Sequence, residues 1–591
     1  MNQPQHNTIV NFIWSIADDV LRGIYSRGKY RDIILPFTVL RRLDAILEPT
    51  KEEVLRMHQK LNEMKIDNQA PQLRKVSGYV FYNTSKYTFK KLLNEPGNIR
   101  QNLENYLDGF SSDVQDIISK FKLRNQLETM EEGNITFPLI EKFCTSTLNL
   151  SPKPIVDKNG VVVHEGLSNL GMGYVFEELI RKFNEENNEE AGEHFTPREI
   201  IKLMTHLIFD PIKSKIKDGT YLVYDPACGS GGMLTEAEYF AKEINPKANF
   251  ILYGQELQPE TFAICKADML IQGGKPENIK YGSTLSNDGF PGLQFDFMLS
   301  NPPYGKTWKI DQSAIVDKKE IIDARFKVGV PRVNDGQLLF LMNMVSKMKT
   351  REDSPLGSRF ATIHNGSALF TGDAGQGESE IRKYLLENDL LEAVIALPND
   401  LFYNTGIPTY IFVLSNKKED KRKGKLQLIN ITDESFYAKM RKPLGKKRVA
   451  FNAQHIKAIT KLYADFENNQ YSLILENEDF GYYQITVHQP EKDENDNVIT
   501  DSKGKPKSDT KKKDIENIPL KDDINKFFKT EVLPYVPDAW YNTKETKIGY
   551  EINFAKYFYQ YQAPRRLAEI TKDILDIERE TENLLKEIIE A

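Results

Sequence analysis

The chain has 591 residues, 40% of them hydrophobic, with 79 Lys and Arg against 85 Asp and Glu for a formal net charge of −6. That length supports two or three buried cores, and an acidic balance with a pI near 5.9 excludes bulk basic charge as the footprint of a nucleic-acid binder. Cys144, Cys228 and Cys265 are scattered and form no C-x-x-C pair, which excludes a disulfide framework and a structural zinc and points to a reducing cytoplasm. The N-terminal MNQPQHNTIV has no basic segment leading into an apolar one, and no apolar run nears the ~20 residues of a membrane span, so a membrane location is not expected.

Residues 1–165 read as a helical N-terminal domain. Phe12, Ile13, Ile16, Val20, Leu21 and Ile24 recur at helical spacing, as do Ile33, Ile34, Phe37, Leu40, Leu43 and Leu47. No acid/base or metal constellation accompanies them, so a packed helical domain is expected, with docking or DNA contact as its function if it has one. From about residue 166 the period changes. The runs at 221–225, 249–254, 278–282, 295–300, 359–364, 392–397 and 409–414 are short, apolar and β-branched, and helical stretches separate them. They predict a Rossmann-like, seven-stranded α/β domain over 166–416. A C-terminal region, 417–563, opens with a basic stretch at 416–450, read as a solvated loop with phosphate contact as the alternative. It also holds a polar segment at 491–515, read as a flexible insertion. The last helix, 564–591, carries Ile570, Ile574, Ile577, Thr581, Leu584 and Ile588 at near-heptad spacing, a seam that suits a partner helix or the chain's own surface.

Chemistry concentrates at three strand ends. The first strand runs into Asp225-Pro-Ala-Cys-Gly229-Ser230-Gly231-Gly232 and then a helix. The glycines permit a tight turn beneath a ligand, and an acidic residue in place of a G-x-G-x-x-G pattern suits a cofactor carrying an ammonium group and a sulfonium. Glu256 ends the second strand, where a carboxylate can accept hydrogen bonds from both hydroxyls of a ribose; a surface Glu is the plainer meaning. Upstream, Glu193-His194-Phe195-Thr196-Pro197-Arg198 precedes an amphipathic helix, and capping alone would explain Thr196 and Pro197.

Asn301-Pro302-Pro303-Tyr304 follows the fourth strand, 76 positions after Asp225. Paired prolines fix the backbone, so the Asn301 amide oxygen and the Pro302 carbonyl form a preorganised acceptor pair. An aromatic amine is a poor nucleophile because its lone pair is delocalised; two acceptors on its hydrogens favour a pyramidal nitrogen. Tyr304 would stack on the base once it leaves the duplex. The plain alternative is a rigid proline turn. No histidine is needed, and no metal ligand set is seen.

Together these residues resemble the γ-class amino-methyltransferases, and most of the chain is similar to the methyltransferase subunit of type I restriction-modification systems. FIWSIADDVLRG, EHFTPREIIKLM, DPACGSGGML, NPPYG, the block from RFATIHNGSALF to TYIFVLSN and GYEINFAKYFYQYQAPRRLAEI carry the resemblance. It implies S-adenosyl-L-methionine as cofactor, with Glu193 to Arg198 closing over its methionine end, Ser230 to Gly232 cradling it and Glu256 on the ribose. It implies N6 of a flipped-out adenine in DNA as the acceptor, held by Asn301, Pro302 and Tyr304. It further implies a separate specificity subunit that reads the DNA sequence and binds two methyltransferase subunits, with a restriction subunit added for cleavage. One departure is Ser283, where an acidic residue often faces the cofactor's adenine. A self-sufficient adenine methyltransferase, methylation of cytosine N4, of a protein glutamine or of RNA, and a silent scaffold stay open as alternatives.

Overall fold

The computed structural model describes residues 3–186, 196–403, 405–494, 497–502, 504–559 and 566–590. At its centre lies one nine-stranded sheet. In chain order its elements are α1 (Asn169–Glu186), α2 (Arg198–Phe209), β1 (Thr220–Asp225), α3 (Gly232–Ile244), β2 (Asn249–Glu256), α4 (Pro259–Ile271), β3 (Ile279–Tyr281) and β4 (Phe297–Ser300). They continue with α5 (Gln337–Ser346), β5 (Arg359–Asn365), α6 (Gly377–Glu387), β6 (Leu391–Ala396), β7 (Thr409–Ser415), β8 (Lys425–Asn430), α7 (Ala453–Asp465) and β9 (Ser472–Glu476).

The strand order is β9-β8-β6-β7-β5-β4-β1-β2-β3. β7 is antiparallel to both β5 and β6 and β9 is antiparallel to β8, whereas the remaining neighbours pair in parallel. All seven predicted strands are present, and the sheet does not stop at residue 416, because β8 and β9 extend it. The chain leaves β1 toward β2 and β3 on one side and toward β4 and β5 on the other. This reversal opens a crevice at the carboxyl ends of β1, β2 and β4.

Helices on both faces give the central strands their continuous apolar character. β4 and β6 are buried throughout, including Glu392 of β6, which Arg359 and Arg422 pair at 2.9 and 3.3 Å. On α2, Ile200, Ile201, Leu203, Met204, Leu207 and Ile208 are all buried against the sheet, the stripe its spacing predicts.

The N-terminal helices, from Gln3–Ile16 to Thr136–Phe143, share a core with helices that flank the sheet. Their apolar faces form one cluster with Met172, Val175 and Phe176 of α1 and Ala263, Ile264 and Leu270 of α4. The fully buried Arg42 caps this junction, donating to the Leu167 carbonyl at 2.9 Å and to Asn169 Oδ1 at 2.8 Å.

The basic stretch after β7 is not one loop. Lys418 is buried against Asp389 at 2.6 Å, Arg422 lies over Tyr463, and residues 438–444 pair with 447–450 in a hairpin. The 491–515 segment is likewise no unstructured insertion. Bridges Pro490–Ser508, Lys492–Val498 and Thr500–Pro506 lace its described residues, and it leads into a four-stranded antiparallel sheet built on Gly481–His488. Asp493 and Asp501 satisfy the turn amides at Asn497 and Lys505, each at 2.9 Å, so polar residues here serve turns.

Residues 553–591 are a separate unit. It contains the 24-residue α8 (Leu567–Glu590), on which Ile570, Ile574 and Ile577 are 40%, 59% and 63% exposed. The side chains of Thr581, Leu584 and Ile588, which complete the predicted seam, lie outside the described residues.

Candidate active site

β1 ends at Asp225, 2% exposed, whose Oδ1 accepts from the Ala227 amide at 2.9 Å and the Ser300 hydroxyl at 2.8 Å. Burial pushes this carboxyl up to about 7, against those two hydrogen bonds and with the nearby Glu256 charge adding to the rise. The loop then folds over the end of β2. The Cys228 amide donates to the Gln255 carbonyl at 3.0 Å, while Glu256 Oε2 accepts from the Gly229 amide at 2.8 Å and Oε1 from the Gln258 amide at 2.7 Å. Each Glu256 oxygen keeps a further lone-pair direction for a ligand.

Two glycines are required by the backbone and by close approach. Gly231 sits at φ +88° as it enters α3, and a Cβ on Gly232 would lie 2.6 Å from Glu177 Oε1. Glu177 is gripped by Arg198, whose Nη2 and Nε donate to its two oxygens at 2.5 and 2.8 Å, and Arg198 stacks on Tyr174 at 4.6 Å.

Glu177, Asp225, Cys228, Gly229, Gly232 and Glu256 line a cavity of about 300 Å³, at the small end of ligand-sized pockets. Asn301 lines it from the end of β4, its Nδ2 donating to Thr196 Oγ1 at 3.0 Å. Asn301 Oδ1 is buried without a hydrogen-bond partner among the described residues, an arrangement that costs about 1–3 kcal/mol unless it is satisfied, as by a ligand. Behind the loop, the Gly305 amide donates to Asp335 Oδ1 at 3.0 Å. Asp335 Oδ2 accepts from Gln337 at 2.7 Å and Ser367 at 2.8 Å. The Trp308 amide donates to the Val333 carbonyl and its indole N–H to the Arg332 carbonyl, both at 3.0 Å. The proline turn is therefore stitched from Gly305 to Trp308 onto the start of α5.

Of the predicted residues, Asp225, Gly229, Ser230, Gly232, Glu256, Asn301, Pro303 and Thr196 meet on this one cavity, as does Ser283. Gly231 shapes the turn below it. Arg198 stands behind the wall and holds Glu177, and Pro197 caps α2. Pro302 is buried and does not line the cavity. Tyr304 also lies off it, half-buried against the core around the sheet, where burial raises its phenol well above the usual range. The aromatic surface the cavity itself offers is Trp308 and Phe340. Glu193, His194 and Phe195 lie outside the described residues. Sequence reasoning missed Glu177, Asp335 and Trp308. Glu177 has no local signal on an otherwise ordinary helix, whereas Asp335, just before a helix start, carried a weak one.

A doubly wound domain thus carries an acidic, glycine-turned cavity at its switch point, facing an asparagine on a proline turn, where domains of this class bind their ligands. Residues 168–512 match the N-6 DNA Methylase family and residues 9–143 the HsdM N-terminal domain, and the chain belongs to the N-6 DNA Methylase family. It is 28% identical over 300 residues to the type I restriction enzyme MjaIX methylase subunit of Methanocaldococcus jannaschii, covering 50% of this chain and 49% of that one. It is 30% identical over 275 residues to the HindI methylase subunit of Haemophilus influenzae, covering 46% and 56%. The chain thus spans about half the length of the curated relatives it matches. In structure it is similar to the type I restriction-modification methyltransferase subunit from Streptococcus thermophilus, with a TM-score of 0.60 at 20% identity, 80% of this chain and 97% of that one. A modification subunit of a putative type I restriction enzyme from Vibrio vulnificus has a TM-score of 0.50 at 16% identity, covering 84% and 96%.

Proposed function

We propose that this chain is the methyltransferase subunit of a type I restriction-modification complex, transferring the methyl group of S-adenosyl-L-methionine to N6 of an adenine turned out of DNA. The observation that carries this reading is Asn301, whose buried Oδ1 has no partner among the described residues and which lines the same cavity as Asp225 and Glu256.

The residues present fit the cofactor. Asp225 and Glu256 offer carboxylates for a cationic ligand bearing hydroxyls, and Gly232 leaves room where a Cβ would meet Glu177. When bound, S-adenosyl-L-methionine supplies an electrophilic methyl on a sulfonium. Asn301 Oδ1 accepts a hydrogen bond from the adenine amine and favours a nitrogen lone pair out of the ring plane. The positive charge that grows on that nitrogen strengthens the same bond, so Asn301 binds the transition state better than the ground state. Thr196 holds the other end of the amide, which sets the direction of Oδ1. Pro302 would add its carbonyl as a second acceptor, and Tyr304 would reach the base only after leaving the core it packs against.

We assign the reading of the DNA sequence to a separate specificity subunit binding two methyltransferase subunits, and cleavage to a restriction subunit. The exposed apolar residues of α8 support a partner there. No helix among the described residues is long and apolar enough to cross a membrane. The test is transfer of labelled methyl from S-adenosyl-L-methionine to duplex DNA, by the chain alone and with its candidate specificity subunit. N6-methyladenine formed only with the partner is the expected result; formation by the chain alone would make it self-sufficient, and label in protein or RNA would refute the assignment.

A further inference from the structure

Six of the thirteen residues 438–450 are basic and none is acidic, in a chain of net charge −6. In the hairpin they form, the six divide by role. Lys447 turns inward, where it is buried and donates to Glu199 Oε1 at 2.6 Å, to the Leu401 carbonyl at 2.8 Å and to the Val449 carbonyl at 2.8 Å. The other five, Lys439, Arg441, Lys442, Lys446 and Arg448, are exposed. Lys439 pairs with Glu434 at 2.6 Å, while no ion pair engages Arg441, Lys442 or Lys446 among the described residues.

The hairpin's place is set by its backbone. The Lys446 amide donates to the Tyr403 carbonyl and the Arg448 amide to the Asp400 carbonyl, each at 2.8 Å. Lys447 reaches the first turn of α2, and Tyr403, Phe451 and Asn452 line a second cavity of about 310 Å³. That cavity shares Thr196 and Glu177 with the one holding Asn301. Uncompensated cations therefore stand on a hairpin whose base is hydrogen-bonded to Tyr403 and runs into Phe451 and Asn452, three residues that line this second cavity. A hairpin that leaves Arg441, Lys442 and Lys446 without an acidic partner among the described residues is poor for stability by itself, since like charges repel. A polyanion relieves it.

We propose that the 438–450 hairpin is a DNA-backbone contact, in which Arg441, Lys442 and Lys446 hold phosphates of the duplex flanking the turned-out base. This rests on the proposed reaction and adds which surface of this chain grips its substrate. Phosphate contacts position without reading sequence, which agrees with recognition by another subunit.

The experiment is duplex binding by the full chain with its specificity subunit, followed by fluorescence anisotropy from 50 to 200 mM salt. It compares wild type, the triple variant Arg441→Ala/Lys442→Ala/Lys446→Ala, and Lys511→Ala/Lys512→Ala/Lys513→Ala as an equal loss of charge elsewhere. The first triple variant should weaken binding alike for cognate and scrambled duplexes and make the log–log salt slope shallower by about 2.7, at about 0.9 per phosphate. Its affinity for S-adenosyl-L-methionine should match wild type. A wild-type slope in that variant, or an equal change in the control, overturns the proposal; so does loss of subunit assembly with DNA affinity per assembled complex unchanged, which would make the hairpin a protein contact. A wild-type complex that binds cofactor and DNA but does not methylate adenine refutes the reaction and leaves the DNA contact to stand or fall on the slopes.

Discussion

Replacing Asn301 by alanine separates what the site needs for chemistry from what it needs for folding. In the free protein the substitution removes a buried acceptor with no partner among the described residues, a group that costs about 1–3 kcal/mol. It also removes the 3.0 Å bond from Nδ2 to Thr196 Oγ1, worth about 0.5–1.5 kcal/mol. The two nearly cancel, so urea unfolding of Asn301→Ala should stay within about 1–2 kcal/mol of wild type. Catalysis has no such compensation. Loss of a preorganised partner for charge that develops in the transition state lowers kcat on the order of 100- to 1000-fold. Cofactor affinity should hold, because Asp225, Glu256 and the glycine turn are untouched. Methyl incorporation into duplex DNA, calorimetric titration with S-adenosyl-L-methionine and urea melts on one preparation give the three readouts. Turnover close to wild type would refute the role of Oδ1, and a large fall in stability with proportionate loss of cofactor binding would show that Asn301 is chiefly structural.

Asp225 ties cofactor affinity to pH. Its folded carboxyl titrates near 7 against an ordinary 3.8, so its contribution to stability is fully present below about pH 4 and is lost as pH rises through 7. A cationic ligand favours the ionised form, and affinity for S-adenosyl-L-methionine should therefore strengthen from pH 6 to pH 8 with proton release; calorimetry in buffers of different ionisation enthalpy measures it, and Asp225→Asn should flatten the profile. Arg198→Ala leaves Glu177 buried and unpaired, and should cost about 3–5 kcal/mol in urea unfolding; an unchanged melt would refute the pairing. Asp335→Ala frees Gly305 and with it the proline turn, so kcat should drop on the order of 10- to 100-fold with cofactor affinity unchanged. Asp335→Asn, which keeps the shape and one acceptor, should fall between, and a drop in cofactor affinity instead would place Asp335 in the cofactor wall.

How far the fold was legible depends on what each segment must satisfy locally. β1, β2, β4, β5, β6 and β7 are buried strands whose apolar, β-branched runs have no other use, and they stood out. β8 and β9 did not, because KLQLIN and SLILE are flanked by charged and polar turns. Lys418 and Arg422, which made the stretch before β8 look solvated, are buried only because Asp389 and Glu392 meet them from β6 and the turn preceding it.

Local sequence alone determined the strand-to-turn transitions that build the site. DPACGSGG needs its glycines to turn and enter α3, and NPPY cannot continue a strand or lie within a helix, so each loop's form follows from its own residues. Only the tertiary structure decided who faces whom. Thr196 against Asn301, Glu177 against Arg198 and Asp335 under Gly305 are contacts between segments 21 to 105 positions apart, and Tyr304 is placed by the core it packs against. Such contacts depend on sheet order and helix packing, which no single segment encodes, because the free energy that selects them is shared among all the surfaces buried together.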